Sequence, residues 1–197
     1  MGGYNALQHT PLLTQRRNNM FVHTPSGHKV NLREPSEDSI EITDIAHNLA
    51  RINRFNGATK IPYSVASHSV WVSKVVPEEQ ALSGLLHDAS EAYLGDIIAP
   101  LKPMLQDYNY LEARFDLLIG KVFGVRTGVL TPDELRKADS AAALLELFAL
   151  GHPAYEEHKT RIQNLNSAYL KQPIVPQSVA TAEKDFMERF NELTGGK

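Results

Sequence analysis

Apolar residues along most of the chain recur at steps of three and four, the spacing of one face of an α-helix. Ile42, Ile45, Leu49 and Ile52 form the first such stripe, with Thr43 placed to cap it and Asn56-Gly57 to end it. Ser64 opens a second helix that turns Val65, Val72 and Val75 inward and stops at Pro77. Pro77-Glu78-Glu79 suits a third start, because proline fits the first helical position and acids meet the positive end of the helix dipole. Leu82, Leu85, Leu86 and Ala89 are its buried side, and Gly95 closes it. A connector from Asp96 to Lys102 contains Pro100. A fourth helix over about 104–123 buries Leu111, Phe115, Leu118 and Val122 and ends at Gly124. Thr131-Pro132-Asp133-Glu134 reads as a capping box with proline in the first turn, opening a fifth helix that runs to Leu150 and stops at Gly151. Pro153, Pro173 and Pro176 confine regular structure between 152 and 177 to one helix near 154–166. A last amphipathic helix carries Val179, Phe186, Phe190 and Leu193 and frays at Gly195-Gly196.

The N-terminal stretch is different. Residues 1–19 have no periodicity and read as an arm. From Met20 to Leu32 two short apolar runs flank Thr24-Pro25-Ser26-Gly27, a turn signal, which predicts a β-hairpin. The expected architecture is all-α, a helical bundle with a short N-terminal β-hairpin, as a single domain over 20–197.

Charge and composition narrow the function classes. A formal net charge of -3 over 197 residues argues against binding a nucleic-acid backbone. The absence of cysteine removes disulfides, thiol nucleophiles and Cys-based zinc sites, so any metal must be held by histidine and carboxylate. No apolar run reaches the length of a membrane span, and the N-terminus has no signal core, so a cytoplasmic protein without a membrane partner is expected.

Eight histidines are present. His9, His23, His28, His152 and His158 lie in polar contexts and read as surface residues, and His47 as a structural one. His87 differs, because Leu85-Leu86-His87-Asp88-Ala89 sets a His-Asp pair inside an apolar stripe. Burying that pair is costly unless a metal ion or an imidazole–carboxylate hydrogen bond satisfies it. Glu91 follows His87 by four residues and Asp88 by three, which in a continuous helix places all three on one face. Asp96, just past Gly95, can fold back over the helix end. His68 can face inward from the preceding helix, and Asp139 sits among small residues that let another helix approach.

The order His68, His87-Asp88, Asp139 on separate helices resembles the HD-domain phosphohydrolase superfamily. Arg54-Phe55 ahead of the first histidine, Tyr63-Ser64-Val65-Ala66-Ser67-His68, the run His87-Asp88-x-x-Glu91 with Gly95-Asp96, and Pro100-x-Lys102 resemble its small deoxynucleotide-acting branch. That branch comprises 5′-deoxynucleotidases and bacteriophage dATP triphosphohydrolases. Phe186 to Asn191 resembles a C-terminal helix of a prophage member, so the likeness extends over about 20–194. The resemblance implies His68, His87, Asp88 and Asp139 as ligands of one divalent ion of the Co²⁺, Mn²⁺, Zn²⁺ or Ni²⁺ type. It implies Glu91 and Asp96 as the acid–base pair, and Arg54, Phe55, Pro100 and Lys102 as contacts to a deoxynucleotide. It also implies a homo-oligomer, for which Leu85, Leu86, Tyr93 and Leu94 offer more apolar surface than one ligand face needs. The implied reaction is hydrolysis at the 5′-phosphate ester. The favoured substrate is a dATP-like triphosphate, which would bring Mg²⁺ with it; the alternative is a monophosphate. Phe55 and Gly57 depart from several members near the base and leave base selectivity open. An inactive nucleotide-binding module is a remote alternative, opposed by the intact set of six metal and acid–base residues.

Overall fold

The computed structural model describes residues 20–196, so the arm expected over 1–19 lies outside the described residues. Two short strands, β1 (Phe21–His23) and β2 (Lys29–Asn31), pair antiparallel with Val22 opposite Val30. Eight α-helices follow among the described residues: α1 (Ile42–Leu49), α2 (Val65–Val75), α3 (Ala81–Leu86), α4 (Glu91–Leu94), α5 (Gln106–Phe123), α6 (Asp133–Ala149), α7 (Tyr155–Gln163) and α8 (Val179–Thr194). This is the all-α bundle with an N-terminal hairpin that the periodicity predicts. The buried Asp44 carboxylate ties the hairpin to α1, accepting from the Ser26 amide at 2.8 Å and the Ser26 hydroxyl at 2.6 Å.

Helix α2 is the axis of the molecule. Every residue from Val65 to Ser73 is buried, because the helix is enclosed on both sides. On one side lies a core built from α1, α3, α4, α5 and α8 with Val30 of the hairpin; on the other, Trp71 and Val72 meet Leu135, Ala138, Ala142 and Leu145 of α6. Ser64 caps α2 by accepting the Ser67 amide at 3.1 Å. Gly84 lets α3 press against α2: a Cβ there would lie 3.1 Å from the Cα of Ser73 and 3.1 Å from a methyl of Val76.

Several boundaries differ from the sequence reading, each for a local reason. Glu41, not Thr43, occupies the cap position of α1, and the helix ends at Leu49. The next segment, Arg54–Gly57, is a tight 3₁₀ turn in which Phe55 (φ 55°) and Asn56 (φ 52°) are left-handed. The capping box at 131–134 does not form: Pro132 takes the cap position of α6 without a side-chain bond to the helix, and the Thr131 carbonyl accepts from Arg136 instead.

The expected third helix is interrupted between α3 and α4. The Gly84 carbonyl, which the Asp88 amide would take in a regular helix, accepts from Nδ1 of His87 at 2.9 Å. Beyond it the backbone tightens to i→i−3 bonding: Ala89 to Leu86, Glu91 to Asp88, Ala92 to Ala89 and Tyr93 to Ser90. Leu85 and Leu86 are fully buried and Tyr93 nearly so, which consigns them to the core of this chain and not to a subunit interface.

Candidate active site

The metal-ligand candidates come from three elements. His68 projects from the centre of α2, His87 and Asp88 from the turn between α3 and α4, and Asp139 from α6. Ligand atoms of His68, His87 and Asp139 all fall within 4.8 Å of one another. The two Nε2 atoms face each other at 3.2 Å, and Oδ1 of Asp139 lies 3.1 Å from that of His68 and 3.8 Å from that of His87. Oδ2 of Asp88 joins them, 3.2 Å from His87 Nε2 and 3.6 Å from His68 Nε2.

Both imidazoles are held from behind. Nδ1–H of His87 donates to the Gly84 carbonyl, and Nδ1–H of His68 donates to Oε1 of Glu146 at 2.7 Å. Those bonds leave the two Nε2 lone pairs aimed at the same point, between two carboxylates. Four electron-pair donors converging on one spot, buried on the histidine side and half-open at Asp139, repel one another until a cation lies between them. Without a metal, protons take that part. Burial, with Arg54, opposes the imidazolium of His68, but Glu146 and Asp139 outweigh both and raise its pKa. At His87 burial is likewise outweighed, by Asp88 and Asp139, and the pKa rises well above the usual value. In return, and against burial, the imidazoles hold Asp88 and Asp139 below the ordinary carboxylate range. The donor set therefore fits a divalent cation.

A polar cavity of about 190 Å³ opens beside this cluster, lined among others by His87, Asp88, Asp139, Glu91, Lys102 and Arg136. Glu91 is 3 % exposed. The turn before it closes three residues back, the Glu91 amide donating to the Asp88 carbonyl at 3.0 Å, so its register to His87 and Asp88 is not that of a continuous α-helix. Burial, then Asp88 and Asp96, push its carboxyl up to about 10, and its Oε2 has no hydrogen-bond partner. Asp96 is raised by burial and by Asp88, with Arg54 pulling the other way. Nζ of Lys102 lies 3.6 Å from Glu91 and donates to Glu112 at 2.7 Å, and these acids hold the ammonium above its usual pKa despite burial.

Arg54 is drawn in by two carboxylates. Its Nε–H donates to Oε2 of Glu146 at 3.1 Å, and its Nη1 is 3.7 Å from Asp88. These neighbours outweigh the effect of burial and keep the guanidinium charged. Of the expected site residues, His68, Arg54, Phe55, Asp96 and Pro100 do not line the polar cavity. Phe55 packs its ring 5.0 Å from that of His152, with the Arg54 guanidinium 5.5 Å from the ring centroid. Pro100 is exposed on the connector.

Four residues of this constellation escape the sequence reading: Glu112, Asp116 and Arg136 on the cavity wall, and Glu146 behind His68. Only Glu146 carries a readable signal, standing seven residues after Asp139 and so on the same helix face.

The fold and the site together define an all-helical protein whose central helix carries one member of a His-His-Asp cluster able to hold a metal ion. No family model matches the chain. It is 36% identical over 181 residues to the uncharacterized protein YfdR of Escherichia coli (strain K12), covering 88% of this chain and 96% of that protein. An uncharacterized protein of Rhodobacter capsulatus is 37% identical over 133 residues, which span 61% of this chain and 68% of that one. The chain belongs to the same family as these two proteins. More distant relatives carry a functional name: a 5′-deoxynucleotidase of Enterobacter sp. (strain 638) is 29% identical over 155 residues (75% of this chain, 63% of that one). A 5′-deoxynucleotidase of Vibrio atlanticus is 27% identical over 169 residues (75% and 79%).

Proposed function

We propose that this protein is a metal-dependent 5′-deoxynucleotidase that hydrolyses deoxynucleoside monophosphates to deoxynucleoside and phosphate. The observation that carries the reading is the convergence of two imidazole nitrogens and two carboxylates beside a cavity holding a buried acid, Glu91, and an ammonium, Lys102. His68, His87, Asp88 and Asp139 would hold one Co²⁺, Mn²⁺, Zn²⁺ or Ni²⁺ ion, which when bound polarises a phosphoryl oxygen and acidifies a water. Arg54 and Lys102 take phosphate oxygens, the first as a fork and the second as a point charge. Glu91 would accept the proton of the attacking water as its oxygen bonds to phosphorus; burial holds its carboxyl up at about 10, and the charge of a divalent cation at the four ligands would bring it down to the carboxylate form this needs. The bond from phosphorus to the 5′-oxygen breaks, and Asp96, whose raised pKa retains a proton more readily, protonates the leaving oxygen.

Charge balance favours the monophosphate over the dATP-like triphosphate to which the sequence alone leans. The cavity is lined by Asp88, Glu91, Glu112, Asp116 and Asp139 against the cations of Lys102 and Arg136, with Lys102 already bonded to Glu112. A triphosphate tail would meet acidic side chains where it needs cations, Glu91 and Asp116 among them with their pKa raised by burial, and the Mg²⁺ it would carry has no role in this scheme. The names of the distant relatives point the same way.

Among the described residues no helix is long and apolar enough to cross a membrane. We also assign it a homo-oligomeric state. Exposed Ile98, Leu101 and Met104 on the connector and Val129 and Leu130 before α6 flank the elements that line the cavity, an apolar surface a second copy would cover.

Incubation of pure protein with Co²⁺ or Mn²⁺ and a panel of deoxynucleoside mono- and triphosphates, with products separated by ion exchange, tests the assignment. Release of inorganic phosphate from monophosphates is expected. Release of tripolyphosphate as the main product would overturn the substrate choice.

A further inference from the structure

We propose that Glu146 is a positioning residue that couples the metal centre to phosphate recognition, by holding His68 with one carboxylate oxygen and Arg54 with the other. Glu146 is fully buried, in the part of α6 that packs toward α2. Its Oε1 accepts from Nδ1 of His68 at 2.7 Å and its Oε2 from Nε of Arg54 at 3.1 Å. A carboxylate out of water is tolerated only when charged or hydrogen-bonded partners satisfy it, and here each oxygen has one. The geometry at His68 is a clamp: Asp139 meets its Nε2 at 3.1 Å while Glu146, two turns further along the same helix, holds the opposite ring nitrogen. That fixes the tautomer, aims the lone pair at the metal position and makes the imidazole a stronger donor.

The second oxygen extends the effect. Arg54 emerges from the strained 3₁₀ turn, and the bond from its Nε to Glu146 sets the plane of the guanidinium, whose Nη1 lies 3.7 Å from Asp88 at the edge of the ligand cluster, where it would meet a phosphate oxygen. Glu146 cannot move to follow one partner without releasing the other. The metal ligand and the anion contact therefore share one rigid support, and a change in either reaches the other through it. This inference rests on the metal and phosphate roles proposed above.

The test compares wild type with Glu146→Gln and Glu146→Asp. Gln keeps the shape, but its amide nitrogen faces a donor, so it accepts from one partner only. Asp keeps the charge and falls one methylene short. Thermal melts followed by circular dichroism establish that each variant is folded, and Asp serves where Gln does not fold. Co²⁺ affinity, read by competition with a chromophoric chelator, is expected to fall about ten-fold or more in both. KM for a deoxynucleoside monophosphate is expected to rise more than kcat falls, because Arg54 loses its support. Arg54→Ala is expected to weaken Co²⁺ binding and raise KM in the wild type, but to add little in the Gln background. Full recovery of Co²⁺ affinity and KM by Gln would reduce Glu146 to a space-filling residue and overturn the proposal. Additive effects of the two substitutions would break the link. If wild type turns over no deoxynucleotide, the functional reading fails, while non-additivity in Co²⁺ affinity still decides the coupling.

Discussion

Glu91 and Asp116 show how burial sets the properties of single carboxyls in this site. Glu91 follows the metal-ligand candidate Asp88 by three residues, with Lys102 3.6 Å away. Glu91→Gln preserves its shape and removes its basicity. It is expected to leave the Co²⁺ content by elemental analysis unchanged and to lower turnover by about 10²-fold, the scale of a general acid–base group. Near-normal turnover would transfer the handling of water to Asp96. Asp116 offers a test through stability. Burial, together with Glu112 and Asp88, pushes its carboxyl to about 6 from the usual 3.8, with a hydrogen bond to Ser90 in partial opposition. The fold thus disfavours the ionised form. The stability associated with this group is complete below pH 3.8, is lost as pH rises through 6, and stays lost above it. At about 1.4 kcal/mol per pKa unit the loss is roughly 2–3 kcal/mol. Asp116→Asn, which cannot ionise, should exceed wild type in urea midpoint at pH 8, with the gap closing towards pH 4. A gap independent of pH would show that the carboxyl is not strained in the fold.

At the scale of elements, the meeting of α2 and α3 at Gly84 holds His68 and His87 in register. Gly84→Ala would bring its methyl against the Ser73 backbone, and overpacking of that kind costs typically 1–3 kcal/mol. Lower thermal stability is expected, and because the helices must part, so is weaker Co²⁺ binding; a change in neither would mean that the contact is soft. The helices themselves were legible from apolar spacing because each buries one stripe against the axis, as Phe186 and Phe190 of α8 do. Helix α2 was legible from its Ser64 cap and the proline beyond it together with Val65, Val72 and Val75, although only one side of it was foreseen as buried and the structure encloses both. The break after Leu86 was not legible. It depends on the His87 ring bonding a carbonyl three residues back, a choice no propensity encodes. The failed capping box has a similar origin, because Pro132 takes the cap position that Thr131 would need. Of the site, His87 and Asp88 stood out as polar groups in an apolar stripe, whereas His68 and Asp139 became ligand candidates only through the family resemblance. Arg136 and Glu112 did not stand out, since on sequence they are ordinary polar residues of a helix surface.

At the scale of the whole molecule, a divalent ion would bridge α2, the α3–α4 turn and α6, elements that pack on different sides of the core. Saturating Co²⁺ is therefore expected to raise the melting temperature by several degrees in calorimetry, since a ligand that binds only the folded chain stabilises it by mass action. A chelator should reverse the shift, and His87→Ala should abolish it. Assembly is tested by light scattering at micromolar concentration, where wild type should exceed the mass of one chain and Met104→Glu should shift it towards the monomer.

The span from His68 to Asp139 has a consequence for the order of events during folding. Seventy-one positions separate these two donors, and His68 takes its place only when α2 is enclosed by its neighbours. The unfolded chain therefore offers an ion no preformed cage, and the ion cannot nucleate the structure as it does in a zinc finger. Refolding from urea should proceed at the same rate with or without Co²⁺, while unfolding in Co²⁺ should slow markedly, because the ion strengthens contacts that form after the transition state. In stopped-flow traces the ion would act as a latch on the finished fold and not as a seed for it; acceleration of refolding by Co²⁺ would show that the three elements meet early.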